Sequence, residues 1–146
     1  AIFFDPFSLR RCPQLWTVEL FQQVAARLAP DGKLATYARS ASVRAAMQLA
    51  GLQIGTIPLS ESQLGEAGSS HEWSQGTVAA SAGCAVIHLT PLSPLEQEHL
   101  QTRAAVPYRD PSLRDLAQQI LARHQVEQQQ SRYESTSSWR RRWGIR

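Results

Sequence analysis

The sequence predicts an α/β fold built on a parallel sheet with covering helices. Three observations carry that reading. Short apolar runs at 1–5, 33–38 and 52–59 alternate with segments of helical periodicity, and glycine or proline marks the junctions between them.

The elements follow in order. "AIFFD" (1–5) is apolar up to its acid, so a strand buried on both faces is expected. Pro13 opens a helix over 14–29, with Leu15, Trp16, Leu20, Phe21, Val24, Ala25 and Leu28 at helical spacing. "APDGK" (29–33) ends it, and "KLATYA" (33–38) is a second strand. Ser40 or Ser42 can cap a helix over 41–50, which Gly51 stops. "LQIGTIPL" (52–59) is a third strand, and the Ser-, Gly- and Glu-rich stretch 60–76 reads as a surface loop. "GTVAAS" (76–81) and "AVIHL" (85–89) are strand candidates, forming either a hairpin or one kinked strand. Prolines at 91, 94, 107 and 111 leave room for one short helix begun by Ser93 and Pro94, then an extended crossing segment. Residues 112–130 look helical, with Leu113, Leu116, Ile120 and Leu121 on one face, and 131–146 read as a loosely held basic tail.

With 146 residues, 42% of them apolar and 18% charged, the chain is one domain or part of one. No apolar run approaches the ~20 residues of a membrane helix, and no secretory signal pattern is seen. A cytoplasmic location without a membrane partner is therefore expected, with Cys12 and Cys84 as free thiols. The net charge is +3, and 14 of the 15 basic residues are arginine. Such a bias suits phosphate recognition, and it equally follows from a GC-rich genome. The four histidines lack metal-ligand spacing, so no metal site is expected, and Ser8 lacks the elbow of a nucleophilic serine.

Open parallel sheets bind ligands beyond the carboxyl ends of their strands, which puts Asp5 to Ser8 where chemistry is expected. A nucleotide site in such a sheet also needs a glycine-rich turn after its first strand. No such turn occurs in these residues, so the later half of a domain is expected.

The motifs support a narrower reading. The chain has Asp5, Phe7 and Ser8 after an apolar strand, then Pro13, Trp16 and Thr17, then Gly32, Leu34, Ala35 and Thr36, then Val43, Arg44, Ala50 and Gly51. In this it resembles the C-terminal half of class I S-adenosylmethionine-dependent methyltransferases of the MnmC-like family, which act in tRNA 5-methylaminomethyl-2-thiouridine biosynthesis. Pro6 and Leu9 depart from that pattern, which usually has a small residue and a proline there. The segment 92–111 is similar to the extension of stand-alone cyanobacterial members.

The resemblance implies a Rossmann-like half-sheet at 1–90, with parallel strands, covering helices and a final antiparallel strand, in which "AIFFD" is the fourth of seven strands. A mostly helical and extended extension at 91–130 and a flexible basic aromatic tail at 131–146 complete the division. It also implies methyl transfer from S-adenosylmethionine to an aminomethyl nitrogen of the tRNA wobble uridine, with the cofactor held by the complete domain and not tightly by this part. By analogy with the Asp-Pro-Pro-aromatic motif of amino-methyltransferases, Asp5 is the catalytic residue. Pro6, Phe7 and Ser8 form the substrate-binding turn, and Phe7 stacks on the base or the cofactor. Trp16 either walls the same pocket or packs its helix, and Tyr37 borders the cleft or is plain surface. Arg44 meets phosphate or lies on a solvated helix face.

"WRRRW" (139–143) places Arg140, Arg141 and Arg142 between tryptophans, an arrangement that binds single-stranded RNA or forms a disordered tail. The expected partner is the tRNA anticodon region, together with self-association through an unpaired edge of the first strand. The alternative is a catalytically inactive methyltransferase-like module that binds RNA or a protein.

Overall fold

A computed structural model describes residues 1–57, 74–83 and 88–145. Most of the loop read at 60–76 and most of the strand read at 85–89 lie outside the described residues. Four strands form one sheet: β1 (Ile2–Phe3), β2 (Lys33–Thr36), β3 (Leu52–Ile57) and β4 (Gly76–Ser81), in the spatial order β1-β2-β4-β3. β1 pairs parallel with β2, aligning Ile2 with Leu34. β4 runs antiparallel to both neighbours, setting Ala79 opposite Leu34 on one side and Ile54 on the other. β1, β2 and β3 therefore point the same way, and the final antiparallel strand is inserted between the second and third. This is the mixed α/β half-sheet expected.

Strand alternation puts Ile2, Leu34, Ala79 and Ile54 on one face. There they meet α1 (Val18–Ala25) and α2 (Ala41–Leu49), whose Val18, Phe21, Val43, Ala46 and Met47 complete the buried core. Phe4, Trp16 and Phe21 pack with ring centroids 5.5 to 6.5 Å apart. Phe3 points to the opposite face and is 85% exposed. The apolar start of the chain is thus not buried on both faces, because among the described residues α1 and α2 pack on the Ile2–Leu34 side.

The first helix also differs from its expected span. Pro13–Trp16 is a 3-10 turn, and α1 begins only after Thr17, whose extended backbone (ψ 155°) forms a parallel bridge with Tyr108. The Thr17 hydroxyl caps α1 by accepting from the Leu20 amide at 3.2 Å. α2 ends where Gly51 adopts φ 87°, a left-handed conformation that favours glycine.

The C-terminal extension folds against α1 and α2. It contains α3 (Pro94–His99), α4 (Ala117–Gln130) and α5 (Thr136–Trp143). α3 starts with a reciprocal capping box between Ser93 and Glu96. Val18 donates its amide to the Tyr108 carbonyl at 3.1 Å. The Glu19 carboxylate receives Arg109 Nε and the Asp110 amide, both at 2.7 Å.

α4 starts at Ala117, not at 112. Asp110 Oδ1 captures the amides of Arg114 and Asp115, and Leu113 takes φ 57°. Leu113 and Leu116 are consequently exposed, while Ile120 is fully buried. At the terminus, 136–143 is helical where a loose tail was expected. Trp139 is buried and stacks on His99 at 4.5 Å. Arg142 reaches Glu98 at 2.6 Å and Glu134 at 2.8 Å.

Candidate functional site

β1 and β2 end side by side, and the two loops that leave them are tied together by Asp5. Its Oδ1 accepts from the Thr36 hydroxyl at 3.0 Å and from the Tyr37 amide at 2.9 Å. The Thr36 hydroxyl is itself held by the Ala38 amide at 3.1 Å and is buried. Oδ1 is thus saturated, while Oδ2 has no hydrogen-bond partner among the described residues. The carboxylate stands at the lip of a cleft of about 150 Å³ lined by Phe3, Asp5, Ala35, Thr36, Tyr37, Ile57 and Gln75. These residues come from the carboxyl ends of β1, β2 and β3 and from the entry to β4, the edge where an open sheet binds its ligands.

The cleft depends on a close approach of backbones. A side chain on Gly76 would place its Cβ 2.4 Å from the Thr36 carbonyl oxygen and 3.2 Å from Tyr37 Cα. Glycine alone lets β4 enter beside Thr36. Behind this entry lies a buried ionic cluster. Arg44 and Glu96, 1% and 2% exposed, pair at 3.0 Å. Arg44 also donates to the Thr77 hydroxyl (2.9 Å), the Ser74 hydroxyl (3.0 Å) and the Gly76 carbonyl (3.3 Å). Ser74 donates its hydroxyl to Glu96 at 2.6 Å, and Thr77 donates its own to the Ala38 carbonyl at 2.7 Å.

Burial raises the Glu96 pKa, but the Ser74 hydroxyl, the Arg44 charge and the Ser93 amide outweigh it and leave the carboxyl below its ordinary value. Burial pulls Arg44 downward against the pull of Glu96, although a guanidinium keeps its proton at any physiological pH. Arg44 is therefore neither a phosphate ligand nor a solvated helix residue. It holds Ser74 to Thr77 in register next to the cleft.

The predicted site residues separate in space. Asp5 and Tyr37 line the cleft, with Tyr37 73% exposed. Phe7 is 71% exposed on the turn after Asp5, and Pro6, Phe7 and Ser8 lie outside the cleft lining. The Ser8 carbonyl accepts the amides of Arg11 and Cys12, closing that turn. Trp16 does not wall the pocket. It is 3% exposed in the core, and its indole N–H donates to the Phe7 carbonyl at 2.8 Å, anchoring the turn from below. Arg140 to Arg142 lie on α5, away from the cleft lining, with Arg142 engaged by two glutamates. Thr36, Ile57 and Gln75 were missed. Thr36 stood in plain view at a strand end, whereas Ile57 and Gln75 reach the cleft only through the insertion of β4. Among the described residues no group of three potential metal ligands lies together, and no helix is long and apolar enough to cross a membrane.

Residues 1–61 match the family model described as S-adenosyl-L-methionine-dependent methyltransferase. Over 73 residues the chain is 30% identical to the tRNA 5-methylaminomethyl-2-thiouridine biosynthesis bifunctional protein MnmC of Pseudomonas savastanoi pv. phaseolicola. The first part of the chain is thus similar to S-adenosyl-L-methionine-dependent methyltransferases of MnmC type. That alignment covers 50% of this chain and 10% of the relative, so the chain spans about a tenth of the relative's length. The structure of MNMC2 from Aquifex aeolicus has the same fold at a TM-score of 0.70, over 88% of this chain and 38% of that one, with 24% identity.

The matched family model is described by its use of S-adenosyl-L-methionine. The cleft is about half of the roughly 300 Å³ at which small-molecule pockets begin. Its lining therefore does not by itself enclose a nucleoside cofactor of that size. One carboxylate oxygen of Asp5 has no hydrogen-bond partner among the described residues of this lining.

Proposed function

We propose that this chain supplies the acceptor side of a cytoplasmic methyltransferase that transfers the methyl group of S-adenosylmethionine to an aminomethyl nitrogen of the tRNA wobble uridine. The observation that carries the proposal is the state of Asp5. One oxygen is fixed by Thr36 and Tyr37, and the other faces outward at the carboxyl edge of the sheet. Oδ2 accepts a hydrogen bond from the aminomethyl N–H and so orients the nitrogen lone pair. Such an amine arrives as its cation, is drawn to the carboxylate, and gives its extra proton to bulk water, which frees the lone pair that accepts the methyl. Tyr37 and Phe7 offer aromatic faces to a base that has left its stack.

The test is transfer of labelled methyl groups to tRNA carrying an aminomethyl wobble uridine by the full-length protein that contains this chain, at saturating S-adenosylmethionine, comparing wild type with Asp5→Asn. The substitution keeps the Oδ1 contacts, so folding is retained and the rate falls roughly 100-fold. An unchanged rate overturns the assignment.

The small cleft favours one other reading, a module that binds tRNA without catalysis. Wild type that binds tRNA and transfers no methyl establishes that reading instead. Calorimetry of this chain with S-adenosylmethionine is expected to show no saturation in the micromolar range.

A further inference from the structure

We infer that Arg10, Arg11 and Arg39, together with Phe7 and Tyr37 on the same two loops, form the contact surface for a single-stranded stretch of RNA, and that the arginines of 139–143 do not. The inference rests on the tRNA reading above and assigns the residues that hold the nucleic acid.

Arg10 and Arg11 follow the turn after β1, and Arg39 follows the end of β2. The two loops are tied by the Asp5–Tyr37 hydrogen bond, which keeps them neighbours. All three arginines are exposed, and none has a carboxylate partner among the described residues. Arg39 spends one donor on the Ser74 carbonyl at 3.3 Å, which fixes its loop and leaves its remaining N–H groups to the outside. By contrast Arg44, Arg109, Arg123 and Arg142 are all engaged by acids.

The aromatic residues make the same division. Phe7 and Tyr37 present more than two thirds of their surface to solvent. In α5 Trp139 is buried against His99, and Trp143 donates its indole N–H to Glu98 at 2.8 Å. Sequence-tolerant binding of single strands needs open aromatic faces alternating with unneutralised cations. The strand-end rim meets both requirements and α5 meets neither in full. Bases stacked on Phe7 and Tyr37 would bring an extruded neighbour to Asp5.

Fluorescence anisotropy with a labelled anticodon stem–loop RNA separates the outcomes. In the triple variant Arg10→Ala, Arg11→Ala, Arg39→Ala, affinity is expected to fall at least tenfold. The slope of log affinity against log salt should become shallower by about 2, as for three lost phosphate contacts on a single strand. The corresponding triple lysine variant keeps the slope, since charge is retained. Arg140→Ala with Arg141→Ala stays within twofold of wild type. A rim variant with unchanged affinity, or a tail variant that carries the loss, overturns the inference while leaving the tRNA reading intact. Equal binding of a blunt RNA duplex overturns the single-strand assignment. Wild type that does not bind the stem–loop removes the tRNA reading itself.

Discussion

At the scale of single residues, the cleft is governed by atoms that leave little latitude. Gly76 is the sharpest case, because any Cβ there meets the Thr36 carbonyl at 2.4 Å. Gly76→Ala is expected to cost about 3 kcal/mol by overpacking, read as a lowered melting temperature. It should also disturb the Tyr37 amide resonance, since that residue lies next to the clash. Thr17→Ala removes the α1 cap and should cost about 1 kcal/mol in denaturant unfolding.

His99 supplies a pH dependence. Burial, together with the charges of Arg44 and Arg140, lowers its pKa from 6.5 to about 4, and burial likewise lowers His124. A depressed histidine is neutral in the fold while the unfolded chain takes up protons first. Stability is therefore fully present above pH 6.5 and is lost as pH falls toward 4. For His99 the loss is about 1–2 kcal/mol once solvent screening is allowed for. Thermal melts between pH 7 and 4 should show the decline, and His99→Gln should flatten it. A pH-independent melt in wild type contradicts this assignment.

At the scale of elements, the Arg44–Glu96 pair joins α2, the entry to β4 and α3 in one buried cluster. Removing one partner leaves the other charged and dry, so Glu96→Gln or Arg44→Leu should each cost about 3–5 kcal/mol. Replacing both with apolar residues should recover much of that loss, which a double-mutant cycle by urea denaturation measures. Additive losses would show that the two side chains do not act as a pair.

This cluster also shows where the sequence stops being readable. Arg44 in "SVRAAM" has the look of a solvated helix position, because its acid lies 52 residues away on an element the periodicity does not connect to it. The break at Thr17 is hidden for the same reason, since its extended backbone answers to Tyr108. α2 and the start of α3 were legible because their signals are local: a Gly51 stop and a Ser93–Pro94 start. The helix read at 112 failed on a local signal of the other kind, Asp110 capturing amides that would have joined the helix.

At the scale of the whole molecule, the α/β class and the run of strands were legible from alternating apolar segments. The resemblance implied a final antiparallel strand, but its insertion between β2 and β3 is a long-range arrangement that neither the resemblance as read nor periodicity placed. Asp5 was legible as a candidate because it ends a strand, and its setting was not, because Ile57 and Gln75 arrive from other strands. Among the described strands β1 lies at the border of the sheet, and Phe3 is open on the face away from α1 and α2. Such an edge invites pairing with a second copy. Size-exclusion chromatography should show association that grows with concentration and weakens in Phe3→Lys. A monomer at every concentration argues against it.

The placement of β4 also bears on how the protein is made. During synthesis β2 and β3 leave the ribosome well before the strand that must lie between them. Until residue 81 has emerged, β3 has no partner among the described strands and the sheet is only the β1–β2 pair. Glu96, which braces the entry of β4 from α3, arrives later still. The nascent chain therefore passes through an interval with a split, sticky sheet, the kind of species that holding chaperones protect. A stalled chain that has emerged from the ribosome only to residue 75 should be protease-sensitive, and one that has emerged past residue 99 resistant.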